Sequence, residues 1–355
     1  MKKKYKVGIC GSFGGAEKTY DGQTVKTKNV LKAFENALGK SNVTSINTHY
    51  WRKENIKLFA RCVKMAFECE HIIILPARNG IRIFLPLFVM IKKLAGAKLH
   101  YSVVGGWLGS FLENKKLLRL MCKRVDKIFV ETGTMFRQLS DMGFSNLAVA
   151  ANCKEIAILK EDELLYHTDA PLKLCTFSRV MEQKGIGETV DVIKRINEQA
   201  GQTVFELDIY GMVDNSYKDE FEEMKKNFPP YIRYLGMADS SKTTEVLKNY
   251  FLLLFPTKFA TEGFPGTILD GFCAGVPVLS ARWNSCFDIV EEEVNGVTFG
   301  FCDFNDMYNK LVYIEKNPDY IKSMKKNCLE SAKRYTPEAV TSEMLKEMQG
   351  FEQEG

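Results

Sequence analysis

The chain has 355 residues, 45% hydrophobic and 26% charged, with ten scattered cysteines and four histidines. That composition excludes a disordered or low-complexity chain, and the length suits two domains of ~150–180 residues. Formal net charge is only +5, yet residues 1–160 hold 28 Lys and Arg against 11 Asp and Glu, while residues 161–355 hold 21 against 33. A basic first half points to an anionic partner there, nucleic acid or an anionic membrane surface.

Met1-Lys2-Lys3-Lys4-Tyr5 runs directly into an apolar strand, with no long apolar signal segment, so the chain is expected in the cytoplasm. Strands are predicted at Tyr5–Cys10, Val43–Ile46, His71–Leu75, Leu99–Val104, Ile128–Val130 and Leu147–Ala150. Amphipathic helices at Thr24–Leu38, Ile56–Phe67, Leu117–Val125 and Met135–Met142 separate several of them. Ile81 to Leu94 is the most membrane-like stretch, but it carries Arg82, Pro86, Lys92 and Lys93 and falls short of the ~18–20 apolar residues of a span. It reads as a helix packed on the sheet, with a rim of cations at Lys98, Lys115, Lys116, Arg119, Lys123 and Arg124. If those cations share one face, the first domain would dock on anionic lipid.

After the polar stretch Lys160 to Pro171 the pattern restarts. Strands are predicted at Leu172–Phe177, Phe205–Tyr210, Ile232–Tyr234, Phe251–Phe255 and Val276–Leu279, with helices at Gly187–Glu198 and Tyr217–Asn227 between them. Strand alternating with helix means parallel sheets covered on both faces. A last helix is predicted over Pro337–Met348. The expected domains are 1–165, 166–335 and a helical tail, 336–355, crossing back to the first. Ligands of such sheets bind beyond the strands' carboxyl ends, which for two facing domains is a shared cleft.

Three motifs carry chemistry. Gly11-Ser12-Phe13-Gly14-Gly15 follows the first strand; its glycines let a ligand approach the backbone, although the spacing is not the dinucleotide fingerprint and a plain tight turn explains it equally. Phe177-Ser178-Arg179-Val180-Met181-Glu182-Gln183-Lys184-Gly185 puts two cations at a strand's end beside a helix start, a setting for a diphosphate. The alternative is a solvated Lys and an Arg paired with a nearby Glu. The most specific string runs from Glu262-Gly263-Phe264-Pro265-Gly266-Thr267 through Asp270 to Gly275-Val276-Pro277-Val278. A helix opening at Gly266 and Thr267 offers unpaired N–H groups to an anion, and Asp270, one turn on, can accept from a vicinal diol such as ribose. Neither zinc spacing nor a histidine cluster occurs, so no metal or other cofactor is expected.

Residues ~170–335 resemble retaining glycosyltransferases of the GT-B fold, family 4 class. Arg179, Lys184-Gly185 and the phrase from Glu262 to Val278 carry the resemblance, supported by Ile209-Tyr210-Gly211, Tyr234-Leu235-Gly236 and Asn295-Gly296-Val297-Thr298-Phe299. Asp270 departs from the pattern, standing where a second Glu is usual. The Gly14-Gly15 loop with Asp21 to Thr27 looks like enzymes of bacterial surface-polysaccharide assembly. The resemblance implies two facing Rossmann-like doubly wound domains with a C-terminal crossover helix. It implies Arg179 and Lys184 on the donor diphosphate, Glu262 on the donor sugar, Gly266 and Thr267 on phosphate, and Asp270 on ribose. Gly14, Gly15, Gly106 and Phe264 would complete the substrate site. The family's usual histidine after the fourth strand is missing from Val103-Val104-Gly105-Gly106-Trp107-Leu108; His100 at that strand's start serves packing or function. The implied reaction moves a hexose or N-acetylhexosamine from a UDP-type nucleotide sugar to a lipid-linked or saccharide acceptor without metal. Competing readings are a nucleotide-sugar epimerase on the same fold and a non-catalytic basic binding module; the diphosphate motifs argue against nucleic acid as the partner.

Overall fold

The computed structural model describes residues 3–15, 22–51, 53, 55–155, 157–239 and 241–348. The chain divides into two compact units, one formed by Met1–Glu155 with Tyr335–Gly355 and the other by Ile156–Arg334.

The first unit is one parallel sheet of six strands: β1 (Tyr5–Gly11), β2 (Val43–Asn47), β3 (Cys69–Leu75), β4 (Lys98–Ser102), β5 (Lys127–Val130) and β6 (Leu147–Val149). They lie in the order β2-β1-β3-β4-β5-β6. Helices α1 (Gly22–Leu38), α2 (Asn55–Glu68), α3 (Ile81–Ala95), α4 (Leu108–Leu112), α5 (Lys116–Cys122) and α6 (Gly133–Asp141) make the crossovers. The near-continuous apolar runs of β1 and β3 follow from burial on both faces; Val7, Ile9, Ile72, Ile73 and Ile74 are fully buried. The order reverses direction between β1 and β3, a topological switch point beyond which open α/β sheets hold ligands.

The second unit holds β7 (Leu172–Phe177), β8 (Phe205–Tyr210), β9 (Ile232–Gly236), β10 (Leu252–Phe255), β11 (Val278–Ala281) and β12 (Gly296–Phe299). Their order is β12-β11-β10-β7-β8-β9, all parallel, with the switch point between β7 and β10. Its helices are α7 (Ile186–Ala200), α8 (Lys218–Lys226), α9 (Thr243–Leu247), α10 (Gly266–Cys273), α11 (Phe304–Lys316), α12 (Pro318–Lys322) and α13 (Lys325–Lys333). The chain then returns to the first unit as α14 (Pro337–Glu347), which starts on a Thr336 cap and packs against α1. Val340, Met344 and Met348 join the core formed by Val7, Ile9 and Phe34, and Glu347 meets Lys127 at 2.6 Å.

Sequence periodicity placed the elements it named to within two residues, apart from one helix end. The helix expected to reach Val125 stops at Cys122, and the strand expected from Val276 begins at Val278. In the second case Gly275, with φ +65°, still belongs to the turn leaving α10.

The stretch read as membrane-like is α3, and it faces two ways. Ile81, Phe84, Leu85 and Phe88 are buried against the sheet, while Met90 and Leu94 are 72% and 83% exposed. Neighbouring α2 exposes Phe59 and Phe67, two turns apart on one stripe, and α5 exposes Leu117 and Leu120. The helices pack in the order α2, α3, α5, and their sequences contain eight Lys and Arg and one acid, Glu68. Among the described residues no helix is long and apolar enough to cross a membrane.

Candidate functional site

The second unit's switch point gathers the residues the sequence singled out there. β7 delivers Phe177 to Lys184, β10 delivers Phe255 to Glu262, and α10 starts beside them. Lys184 Nζ and Glu262 Oε2 form an ion pair at 2.6 Å, with side chains 14% and 20% exposed. Seventy-eight residues of chain separate the two. Thr257 Oγ1 donates to the same carboxylate oxygen at 3.0 Å, and the Lys184 ammonium lies over the rings of Phe255 and Phe259 at 5.2 and 5.4 Å. These contacts fix Lys184 and leave Glu262 Oε1 outside the pair.

The turn after Lys184 depends on Gly185. Its φ is +68°, and a Cβ there would sit 2.2 Å from the Pro256 carbonyl oxygen, so the β7 and β10 loops can approach only through a glycine. Lys258 closes the loops further: its N–H donates to the Gln183 carbonyl and its ammonium pairs with Glu188 at 2.6 Å. Burial disfavours the Lys258 charge, but the Glu188 carboxylate more than offsets that and its pKa is raised.

α10 opens after Pro265 without a side-chain cap, and nothing lies within 4 Å of where a Cβ on Gly266 would project. The first N–H groups of a helix have no partner within the helix, and an uncapped helix start is the usual setting for a phosphate. Thr267 Oγ1 donates to the Phe177 carbonyl at 2.6 Å and ties α10 to the end of β7. That hydroxyl is committed to the backbone, which leaves the N–H as the group Thr267 offers a ligand. Phe264, expected in the substrate site, follows Gly263 in the turn before α10 and is 6% exposed. Asp270 lies one turn along α10 at 4% exposure. Arg179 sits at the other edge of the loop, 3.6 Å from Asp214. The expected alternative partner was a nearby Glu; the acid is instead Asp214, from the loop after β8. The Ser216 hydroxyl and N–H hold the Asp214 carboxyl below its usual range, with Arg179 adding to the effect.

In the first unit, Asn47 clamps the glycine loop: its Oδ1 accepts from the Phe13 N–H at 3.0 Å and its Nδ2 donates to the Gly14 carbonyl at 2.9 Å. Gly15 lies against Tyr50, whose hydroxyl would be 2.2 Å from an added Cβ. Asp21, part of the same sequence motif, lies outside the described residues. Gly106 sits in the turn after β4, which a buried pair holds in place. Lys26 Nζ donates to Glu131 Oε1 and to the Val103 carbonyl, both at 2.6 Å, and the Gly105 N–H donates to Glu131 Oε2 at 3.2 Å. His100 packs in mid-strand, with Nε2 3.0 Å from His71 Nδ1, both rings buried. Burial lowers the pKa of His71 to about 4 and of His100 to about 3, so the pair is neutral. It belongs to the sheet interior.

Sequence reasoning did not single out Glu131, Lys258 or Phe259, which no motif marks, and it met Lys26 only as part of the stretch from Asp21 to Thr27. Among the described residues no group of three or more His, Cys, Asp or Glu is placed to hold a metal ion.

The two six-stranded parallel sheets define the GT-B architecture. Residues 171–317, which include the pair and α10, match the family described as Glycosyl transferases group 1. The Amylovoran biosynthesis glycosyltransferase AmsK of Erwinia amylovora is 21% identical over 130 residues, 36% of this chain and 31% of that one. An uncharacterized glycosyltransferase of Methanocaldococcus jannaschii, MJ1178, is 24% identical over 154 residues, 43% of this chain and 41% of that one. The chain thus spans well under half the length of the curated relatives it matches. Solved structures similar over nearly the whole chain include Anabaena Alr3699/HepE in complex with UDP, with TM-score 0.74, 14% identity and coverage of 98% and 100% of the two chains. The apo lipopolysaccharide outer core galactosyltransferase WaaB has TM-score 0.68 at 17% identity, covering 97% and 99%.

Proposed function

We propose that the chain is a retaining, metal-independent glycosyltransferase that uses a nucleotide diphosphate sugar. The observation that carries this reading is the Lys184–Glu262 pair at the β7/β10 switch point, beside the uncapped start of α10. A cation and a bundle of N–H groups suit a leaving diphosphate, and a carboxylate with one free oxygen suits sugar hydroxyls. HepE was solved with UDP, with UDP-glucose, and with UDP and glucose, which supports uridine as the base and a hexose as the sugar.

In this reading Lys184 and the Gly266 and Thr267 N–H groups take up the charge that grows on the diphosphate. Arg179 exchanges Asp214 for phosphate, and Glu262 orients the sugar while Asp270 receives the ribose. The bond from the anomeric carbon to the phosphate oxygen breaks, the acceptor oxygen bonds the same face, and the acceptor's proton leaves with the phosphate. No step asks for an enzymic base. The acceptor, saccharide or lipid-linked, belongs to the first unit. AmsK acts in amylovoran biosynthesis and WaaB in the lipopolysaccharide outer core, which supports a role in surface polysaccharide assembly. The basic, apolar-studded face of α2, α3 and α5 suits peripheral contact with the anionic inner surface of the cell membrane.

The test is UDP binding and donor hydrolysis with EDTA present. UDP should raise the melting temperature, and hydrolysis across a screen of nucleotide sugars should identify a donor. Activity that EDTA abolishes and magnesium restores would refute metal independence; no UDP effect on melting would refute the donor site.

A further inference from the structure

The first unit contains a cavity of about 510 Å³ at the carboxyl ends of β1, β2 and β3. It sits at the β1/β3 switch point, where this sheet order places a ligand. His49, Tyr50, Trp51, Lys53, Arg78 and Phe84 line it, and among the described residues no Asp or Glu does. Lys53 and Arg78 are exposed, and among the described residues neither has a carboxylate within ion-pair distance. Arg78 stands over the ring of Phe111 at 5.5 Å, Arg82 over the same ring at 5.4 Å and Lys115 at 4.1 Å. Three cations around one ring beside the cavity repel each other and raise the local positive potential. The start of α3 reaches the cavity at Gly80 with no side-chain cap and no acid in its first turn. Tyr50, Trp51 and Phe84 add flat apolar faces of the kind that stack on sugar rings.

We propose that this cavity binds a negatively charged group of the acceptor, a phosphate- or carboxylate-bearing saccharide, and selects against neutral sugars. The proposal rests on the transferase reading for the word acceptor, while the anion preference rests on the cavity alone. Lys53 and Arg78 supply charge-assisted hydrogen bonds to the anion. Gly15, pressed against Tyr50, keeps the glycine loop close enough to form the wall beside it.

Trp51 provides the readout. The full chain, saturated with UDP so that the donor site cannot take the probe, is titrated with inorganic pyrophosphate, with glucuronate and with glucose. Tryptophan fluorescence is excited at the red edge, where uridine is transparent. The expected result is a saturable change with an anion, absent with glucose and absent in Trp51→Phe. A pyrophosphate response assigns the anion to a lipid diphosphate or sugar phosphate, a glucuronate response to an acidic sugar. Lys53→Gln and Arg78→Gln should each weaken the response about tenfold while UDP affinity stays unchanged. Glucose binding as well as the anions, no anion response with UDP bound, or a double Gln variant that binds like wild type would overturn the proposal. Loss of UDP binding itself would instead count against the donor site and leave the anion titration to decide the cavity.

Discussion

Lys184 is the residue whose replacement separates a structural from a functional role. Its ammonium contacts Glu262 at 2.6 Å with both side chains at least four-fifths buried. A charge-assisted hydrogen bond contributes ~1.5–3 kcal/mol, and unpairing a buried charge costs ~3–5 kcal/mol. With a fifth of the Glu262 side chain still reaching water, Lys184→Met should lower unfolding stability by about 2–3 kcal/mol. Removing the stranded charge in Lys184→Met/Glu262→Gln should return ~1–2 kcal/mol of that. Catalysis should behave differently. A lost cation at the leaving diphosphate costs ~10²–10³ in kcat, and the double variant, which lacks both the cation and the carboxylate, should recover none of it. Urea unfolding and steady-state transfer with the donor found by the hydrolysis screen give the two numbers. Turnover of Lys184→Met within about twofold of wild type, or turnover that returns with stability in the double variant, would make the pair a packing feature and remove its catalytic role.

Gly185→Ala should destabilise the second unit by ~2 kcal/mol or more, because its φ of +68° is unfavourable for alanine and the new Cβ would meet the Pro256 oxygen; urea unfolding measures it. The His71–His100 pair predicts acid sensitivity. Both folded pKa values lie below the unfolded value near 6.5, so the unfolded chain binds more protons between about pH 6.5 and 4. Their stabilising contribution is complete above that window and falls on acidification by roughly 1.4 kcal/mol per pH unit per histidine. A melting temperature that falls equally in His71→Phe/His100→Phe would contradict this. Asp270→Asn should weaken UDP binding about tenfold in calorimetry, whereas Asp270→Glu, which adds a methylene at a site 4% exposed, should cost ~1–3 kcal/mol of stability. Met90→Ser/Leu94→Ser/Leu117→Ser should abolish flotation with vesicles of phosphatidylcholine and phosphatidylglycerol while sparing donor hydrolysis. Wild-type binding that is equal on pure phosphatidylcholine and insensitive to salt would reject the electrostatic contribution.

The alternation of strand and helix was legible because parallel strands buried on both faces leave apolar runs that amphipathic helices interrupt. The phrase from Glu262 to Val278 placed a loop and a helix start correctly because its turn residues are local. Strand order was not legible. It decides which loops meet, and so the contact of Lys184 with Glu262 across 78 residues appears only once β7 and β10 are neighbours. The same holds for His100, whose partner His71 lies on the adjacent strand β3, and for Arg179, whose acid comes from the loop after β8. α3 read as simply buried because its average apolarity hides two faces; only packing shows that Phe84 and Phe88 point inward while Met90 and Leu94 do not.

The two units use different strand orders, yet each sets basic side chains at its own switch point. In the second unit Lys184 is largely buried, paired with Glu262 and flanked by rings, and Arg179 is paired with Asp214, so a ligand there must share its cations with carboxylates. Sharing suits a diphosphate sugar, which offers anionic oxygens to the ammonium and hydroxyls to the carboxylate at once. In the first unit Lys53 and Arg78 are exposed and no described acid lines the cavity, so among the described residues a ligand there meets positive charge alone. A neutral sugar would gain little from that field, whereas an anion gains from both cations and from the start of α3. The difference in local charge balance is thus a difference in ligand class. It predicts opposite salt responses: added salt should weaken anion binding at the exposed cations of the first unit far more than UDP binding at the buried pair of the second. Equal salt dependence of the two titrations would mean that the exposed charges of the cavity do not contact its ligand.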